Sequence, residues 1–285
     1  MVMRKVKDKW KIRKYGFDLM PSVEERLTNL RFADDILLIG RTLPQIKQML
    51  VDVAEECAKV GLSLHPEKTK ILHNNMGYGR HVKAAKAGEM VIEVLGAESS
   101  TMYLGKLLSL VDPHDVEVQH RTKKAWAKFA LYREELTDKG VPLKLRLKLF
   151  NTVVTPTMLY ACSAWVLTAA QEKKLQATQM RMTRSILGRK RKIDSESGEK
   201  EPWVPWIKRT TAEARENMKM YNVRNWTEIL HAKKRTWKAR LEKLDPQKWA
   251  SQALEWQPIG FRKVGRPAKR WQEEGDQESH SAKED

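Results

Sequence analysis

A chain of 285 residues with 41% hydrophobic content is long enough to bury one or two real cores. Its 54 Lys and Arg against 36 Asp and Glu leave a formal charge of +18, which points to a polyanionic partner, nucleic acid before an anionic membrane surface. No stretch reaches the roughly 20 consecutive apolar residues of a membrane span, and Cys57 and Cys162 have no partners at metal-ligand spacing, so no transmembrane helix is expected and neither a disulfide framework nor a zinc knuckle is supported.

The opening segment, Met1 to Tyr15, is basic and carries Trp10 and Ile12 without the continuous apolar run of a secretory signal. An intracellular protein, nuclear or cytoplasmic, is expected. Leu30 and Phe32 then flank Arg31 in strand-like alternation, and Ile36-Leu37-Leu38-Ile39 is a short aliphatic run. Between them Asp34-Asp35 supplies turn residues, so the local structure expected is a tight β-hairpin with both carboxylates at its tip.

From Pro44 the apolar residues Ile46, Met49, Leu50, Val53, Cys57 and Val60 follow helical spacing, with Thr42 as cap and Gly61 as stop. Leu62 to Leu64 and Thr69 to Leu72 read as strand interrupted at His65-Pro66, followed by a looser stretch through Gly77, Gly79 and Gly88. Met90 to Val94 and Met102 to Leu110 then read as the two arms of a second hairpin. From Asp112 one helix is expected, its face marked by Val118, Thr122, Ala125, Phe129, Tyr132 and Leu136, ending at Gly140.

Leu143 to Leu149 alternates with a strand period, yet Pro142 and strong helix formers favour helix there. Another helix is expected from Ala169 to Leu187, stopped by Gly188. The run Arg189-Lys190-Arg191-Lys192 and the Ser/Gly-containing stretch from Asp194 to Glu201 then read as a linker at a domain boundary. Of 10 Trp, seven lie beyond it, in a basic segment of helical character, and Gln272 to Asp285 has the composition of a disordered tail.

The segment Arg26 to Asp35, ending in Phe32-Ala33-Asp34-Asp35, resembles the catalytic hairpin of reverse transcriptases of the non-LTR (LINE-like) retrotransposon type. The ordered features downstream extend that resemblance: the helix up to Gly61, Gly61-Leu62 leading into Lys68-Thr69-Lys70, Tyr103-Leu104-Gly105, Pro156 to Trp165, Lys174 to Gly188, and Gly265 to Trp271. It covers the chain from about residue 24 to residue 271.

What the resemblance implies is an α+β fold. A partial reverse-transcriptase palm of antiparallel hairpins plus one helix (26–111) would follow a basic N-terminal segment (1–25) and precede a helical thumb-like region (112–192), a Trp-rich basic region (193–271) and the tail (272–285). It further implies an RNA-directed DNA polymerase that uses Mg2+, with Asp34 as main ligand and Asp35 beside it. Lys68 would protonate the leaving pyrophosphate or steady incoming phosphates, unless it is a solvated strand-edge lysine. Tyr103, Leu104 and Gly105 would grip the primer near its 3′ end, unless Tyr103 packs in the palm core. Arg189, Lys190, Arg191, Lys192, Arg266, Lys269 and Arg270 are the further nucleic-acid contacts expected, and the partners are an RNA template and a DNA primer. His65 stands where many family members have Asn.

The family's palm also needs a metal-binding Asp on an earlier strand and a Gly-containing segment that selects the sugar. Upstream of the hairpin only Asp8 and Asp18 are aspartates, and neither lies on an apolar strand. The expectation is a truncated copy or fragmentary gene product, inactive as a polymerase on its own unless another chain supplies the missing palm half. An alternative of another class is a non-catalytic nucleic-acid-binding protein that uses its basic Trp-rich region, Lys and Arg on phosphates and exposed indoles on bases. Val264 to Arg270 also resembles a minor-groove AT-hook, with Val264 in place of the first arginine of its core.

Overall fold

The basic segment that opens the chain folds as a helix, α1 (Val2–Ile12), with Met3, Val6 and Trp10 buried at steps of three and four. In the computed structural model, residues 2–19, 25–74, 82–256 and 270–271 are described, and the chain divides into two compact units: Met1–Pro113 with Leu241–Val264, and His114–Arg240 with Gly265–Asp285. None of the helices among the described residues is long and apolar enough to cross a membrane.

In the first unit α1 packs on α2 (Leu43–Ala58), where Met3, Val6 and Trp10 meet Met49, Val53 and Cys57 in one buried cluster. α2 forms as its spacing predicts: the Thr42 hydroxyl accepts the Gln45 amide at 3.3 Å, and Gly61, at φ +74°, takes the left-handed conformation just beyond its end. A polar tie joins the two helices. The Trp10 indole N–H donates to Asp52 Oδ2 at 2.9 Å, and the Arg13 guanidinium and the Gln48 amide reach the same carboxylate, which is only 2% exposed. One turn on, Glu56 receives the Lys59 and Lys9 ammoniums at 2.6 and 3.3 Å, and the Lys59 hydrogen bond holds its carboxyl below the usual range against the opposing effect of burial.

β1 (Asn29–Phe32) and β2 (Asp35–Leu38) form the expected hairpin, and Ile36 and Leu38 of β2 rest on the α1–α2 cluster. The strands that follow differ from the sequence expectation. Leu62 to Leu64 is not strand; β3 is Lys70–Leu72 and lies parallel to β5 (Met90–Leu95). β5 does not pair with the residues after Met102 but with β4 (Ala84–Ala87), because Gly88 at φ +61° closes a tight turn between them. The second hairpin is therefore β4–β5, and a third is β6 (Ser100–Tyr103) with β7 (Lys106–Ser109). Period-two alternation marks a strand without naming its partner. Gly77 and Gly79 lie outside the described residues. The stretch Leu241–Val264, expected in the C-terminal region, belongs to this unit: it contains α9 (Trp249–Glu255), and Trp256 meets Phe17 edge-on at 5.7 Å.

In the second unit the single helix expected from Asp112 to Gly140 breaks at Tyr132 into α3 (Pro113–Leu131) and α4 (Arg133–Thr137). α5 (Leu143–Met158) settles the ambiguous 143–149 run as helix, since Leu147, Phe150, Val154 and Met158 all face one core. α6 (Ala169–Leu187) has the bounds its sequence predicts, with a capping box from Thr168 and Gln171 and Gly188 at φ +59° as its stop. α7 (Trp203–Met220) and α8 (Trp226–Leu241) complete the unit. Both thiols are buried, as expected, and burial pushes both above the usual cysteine range.

Several buried polar groups in this unit are matched in pairs, although His120 Nε2 and Trp165 Nε1 find no hydrogen-bond partner among the described residues. Gln179 accepts the Trp226 amide at 2.9 Å and donates to the Arg224 carbonyl at 3.0 Å, which caps the start of α8 from inside the core. Arg146 donates to the carbonyls of Val141 and Ile186, which serves the C-terminal end of α6. Glu117 and Arg121 form a buried ion pair at 2.7 Å, with the guanidinium over the Tyr160 ring.

The boundary expected at 189–201 is not where the units divide. Residues 114–240 stay together because α7 packs back on α6, and the intervening loop folds on itself through an Ile193–Lys200 bridge.

Candidate functional site

Asp34 and Asp35 sit at the tip of the β1–β2 hairpin, whose register pairs Phe32 with Asp35 and leaves Ala33-Asp34 as a two-residue loop. Ala33 adopts φ +52°, a left-handed conformation that costs a residue with a Cβ about 1–2 kcal/mol. Such strain persists only where the surroundings impose it, and it concentrates at functional loops. The β6–β7 hairpin has the same property: its loop is Leu104-Gly105, at φ +48° and +72°. Glycine is the residue expected there; Leu104 is not.

Both carboxylates are exposed, and neither makes a hydrogen bond or ion pair with any described residue. Among the described residues they have no ion-pair partner, in a chain that carries 54 Lys and Arg. Because Ile36 and Leu38 turn toward the α1–α2 cluster, strand alternation puts Asp35 on the opposite face. There it lies within electrostatic reach of Tyr103. Burial first, and the Asp35 charge second, hold the Tyr103 phenol above its usual value of 10.0. The fold thus places Asp35 within electrostatic reach of Tyr103, far from it in sequence.

An Asp35→Asn chain is expected to show a lower Tyr103 pKa, still above the usual value because burial remains. Since the folded-state pKa is raised, the native state retains this proton longer than the unfolded chain, and its contribution to stability is lost as pH rises beyond 10.0. Alkaline titration of the tyrosine absorbance in the two chains checks this; identical curves would remove Asp35 from the neighbourhood of the phenol.

Lys68 is exposed on the turn after Pro66, its amide donating to the His65 carbonyl at 3.2 Å, and no described hydrogen bond or ion pair joins it to the carboxylates. Lys70 is paired with Glu93 across β3 and β5. Arg189 pairs with Glu213, and Lys190, Arg191 and Lys192 are exposed in the loop between α6 and α7. Arg270 is described and Trp271 after it donates its indole N–H to the Ser163 carbonyl at 2.6 Å, whereas Arg266 and Lys269 lie outside the described residues. The tail from Gln272 lies outside them too.

One feature of the first unit was not anticipated from the sequence. Arg4, Lys7, Lys11 and Lys14, spaced by three, four and three, line a cleft of about 550 Å³ together with Arg26, against only two acids, Asp8 and Glu25. Lys7 is paired with Glu25 at 2.7 Å, and Arg26 with Asp18 at 2.7 Å. A smaller cleft shares Lys7, Arg26 and Thr28 and continues along Asn29, Leu30 and Arg31 of β1, the strand that runs up to the Asp pair. The signal was legible: the basic residues recur on one helical face and the apolar residues 3, 6 and 10 on another.

Comparison with known proteins agrees with this geometry. The pattern of the reverse transcriptase (RNA-dependent DNA polymerase) family matches residues 2–108, a span that takes in α1, the Asp hairpin and the Tyr103 hairpin. Residues 2–108 are similar to the reverse-transcriptase family. A transposon-derived protein of Caenorhabditis elegans is 27% identical over 260 residues, covering 86% of this chain and 82% of that protein. No solved structure matches significantly. The family acts on nucleic acid, and the match takes in α1.

The donor set at the hairpin suits a hard divalent ion in part. Two adjacent carboxylates without countercharge provide the oxygens Mg2+ takes from protein, the rest of its shell being water and substrate phosphate. Among the described residues, however, no group of three His, Cys, Asp or Glu side chains converges on one point.

Proposed function

We propose that this chain is part of an RNA-directed DNA polymerase of a non-LTR retrotransposon, that it binds RNA and DNA strands through the first unit, and that these 285 residues do not polymerise by themselves. What carries the reading is the Asp34-Asp35 tip, held without countercharge on a hairpin backed by the α1–α2 cluster and faced by Tyr103. A bound Mg2+ would supply charge neutralisation for phosphoryl oxygens. The chain's own residues orient the carboxylates, keep the Tyr103 phenol protonated, and offer phosphates a cationic path along α1 and β1. A further carboxylate wall would have to come from outside the described residues.

Two measurements test this. Addition of Mn2+ is expected to broaden the resonances of Asp34 and Asp35 in the full chain, and the Asp34→Asn, Asp35→Asn double variant is expected to lose that broadening; unchanged resonances in the parent chain would refute the metal site. On a primed RNA template the chain is expected to bind without extending the primer. Lys11→Glu with Lys14→Glu should weaken that binding and reduce its salt slope by roughly two, one for each phosphate no longer neutralised. Metal-dependent extension would overturn the inactivity, and binding indifferent to salt would overturn the cleft.

A further inference from the structure

The seven Trp beyond the α6–α7 loop do not share one environment. Trp226 is fully buried, whereas Trp203, the first residue of α7, is 61% exposed. It is not a stray surface residue. Trp206, one turn on, forms a ring pair with it at 4.8 Å, and the Trp206 indole N–H is committed to the Arg189 carbonyl at 3.1 Å. That bond fixes the pair against the loop, and Val204 and Ile193, both more than half exposed, widen the apolar surface around it.

The loop itself is held in shape. Asp194 accepts the amides of Glu196 and Ser197 at 2.9 and 2.8 Å, the Ile193–Lys200 bridge closes the two limbs, and Arg209 grips Glu201 through 2.6 and 3.0 Å contacts. Those contacts decide the electrostatics. Glu201 is occupied by Arg209, Glu213 by Arg189, and Asp194 by turn amides, while Glu196 and Glu199 are exposed on the same loop. The ammoniums and guanidinium of Lys190, Arg191, Lys192 and Lys200 remain exposed, and the first turn of α7 carries no acidic residue.

We infer that Trp203 and the Arg189–Lys192 loop form a stacking site for a single-stranded polynucleotide, with the Trp203 indole as platform for a base and Lys190, Arg191 and Lys192 as contacts for the flanking phosphates. An indole face beside cations suits a strand whose bases are unpaired, because every base has a π-face and every linkage a charge. A protein partner is disfavoured, since the centres of such interfaces are depleted in charge. The site lies outside the residues that match the reverse-transcriptase pattern. It deepens the nucleic-acid reading above and rests on it.

The test uses the full chain with a labelled oligothymidylate, an oligouridylate of the same length and a duplex of the same length, each read by anisotropy. Trp203→Ala is expected to weaken binding of both single strands by about 5- to 100-fold while leaving the duplex unchanged. Trp203→Phe is expected to retain most of the affinity, and Lys190→Gln with Lys192→Gln to lower the single-strand salt slope by roughly one per cation removed. A melting temperature unchanged by Trp203→Ala, expected for so exposed a side chain, separates loss of the site from loss of the fold. Equal losses on duplex and single strand, no loss on either, or a Trp203-dependent affinity confined to vesicles of phosphatidylserine or to a second copy of the chain would each overturn the site. If Lys11→Glu with Lys14→Glu weakens binding and Trp203→Ala does not, only this inference fails; if the parent chain binds no polynucleotide, the proposed function fails with it.

Discussion

Trp10→Ala is expected to lower the stability of the first unit by about 3–5 kcal/mol, a large part of what a domain of this kind has to lose. The side chain is fully buried between α1 and α2, so truncation forfeits its apolar contacts and leaves a cavity that two helices already in contact fill poorly. Loss of the indole N–H also removes one donor from the buried Asp52 carboxylate, which must then rely on Arg13 and Gln48. The consequence reaches the functional hairpin: Ile36 and Leu38 of β2 rest on the same cluster, so its loosening frees the strand that carries Asp35. Urea denaturation gives the energy, and hydrogen exchange at the β2 amides gives the connection. Faster exchange in β2 is the expected result; destabilisation with β2 protection intact would show that α1 does not support the hairpin. Trp10→Phe should fall between, keeping most of the apolar contact and losing the hydrogen bond.

Trp226→Ala is expected to destabilise the second unit to a similar extent, by about 3–5 kcal/mol, for a partly different reason. Its ring stacks on Phe150 at 5.9 Å with only 15° between planes, and its indole N–H donates to the Thr155 hydroxyl at 2.9 Å, so α8 is joined to α5 by both an aromatic and a polar contact. Alanine removes both and strands a buried hydroxyl. The backbone amide still finds Gln179, so the cap of α8 survives. Thermal unfolding together with exchange at α5 and α8 amides measures this. The Trp226→Phe chain separates the two contributions, since it keeps an aromatic ring against Phe150 and loses only the donor; equal destabilisation by Phe and Ala would assign the effect to the hydrogen bond.

How much of the fold is legible in the sequence varies with the range of the interaction. α2, α6 and the Asp hairpin follow from apolar spacing, Thr caps and glycine stops, all of which act within a turn or two of chain. α1 carries an equally clear periodicity at residues 3, 6 and 10, with its basic residues recurring on another face, but nothing local says that these line a cleft together with Arg26. The strand pairings after residue 70 differ from the expected ones because β3 joins β5 in parallel across a long stretch of sequence, and nothing local announces that. Gly88 is visible as a breaker, yet only the folded chain makes it the turn between β4 and β5.

Sequence alone therefore determined the resemblance to reverse transcriptases, the hairpin that presents Asp34 and Asp35, and the extent of α2 and α6. It did not decide which tryptophans are structure and which are surface. Trp203 and Trp226 each open a helix in the same basic region, one 61% exposed and the other fully buried. Their local positions are equivalent, and the difference arises only because Phe150, Thr155 and Gln179, far away in sequence, converge on Trp226 and leave Trp203 to the loop from Arg189. Spacing and caps are local energies that a short segment expresses by itself. Burial is a property of whichever distant surfaces the folded chain brings together, and for the same reason Tyr103 meets the charge of Asp35 only in the folded protein.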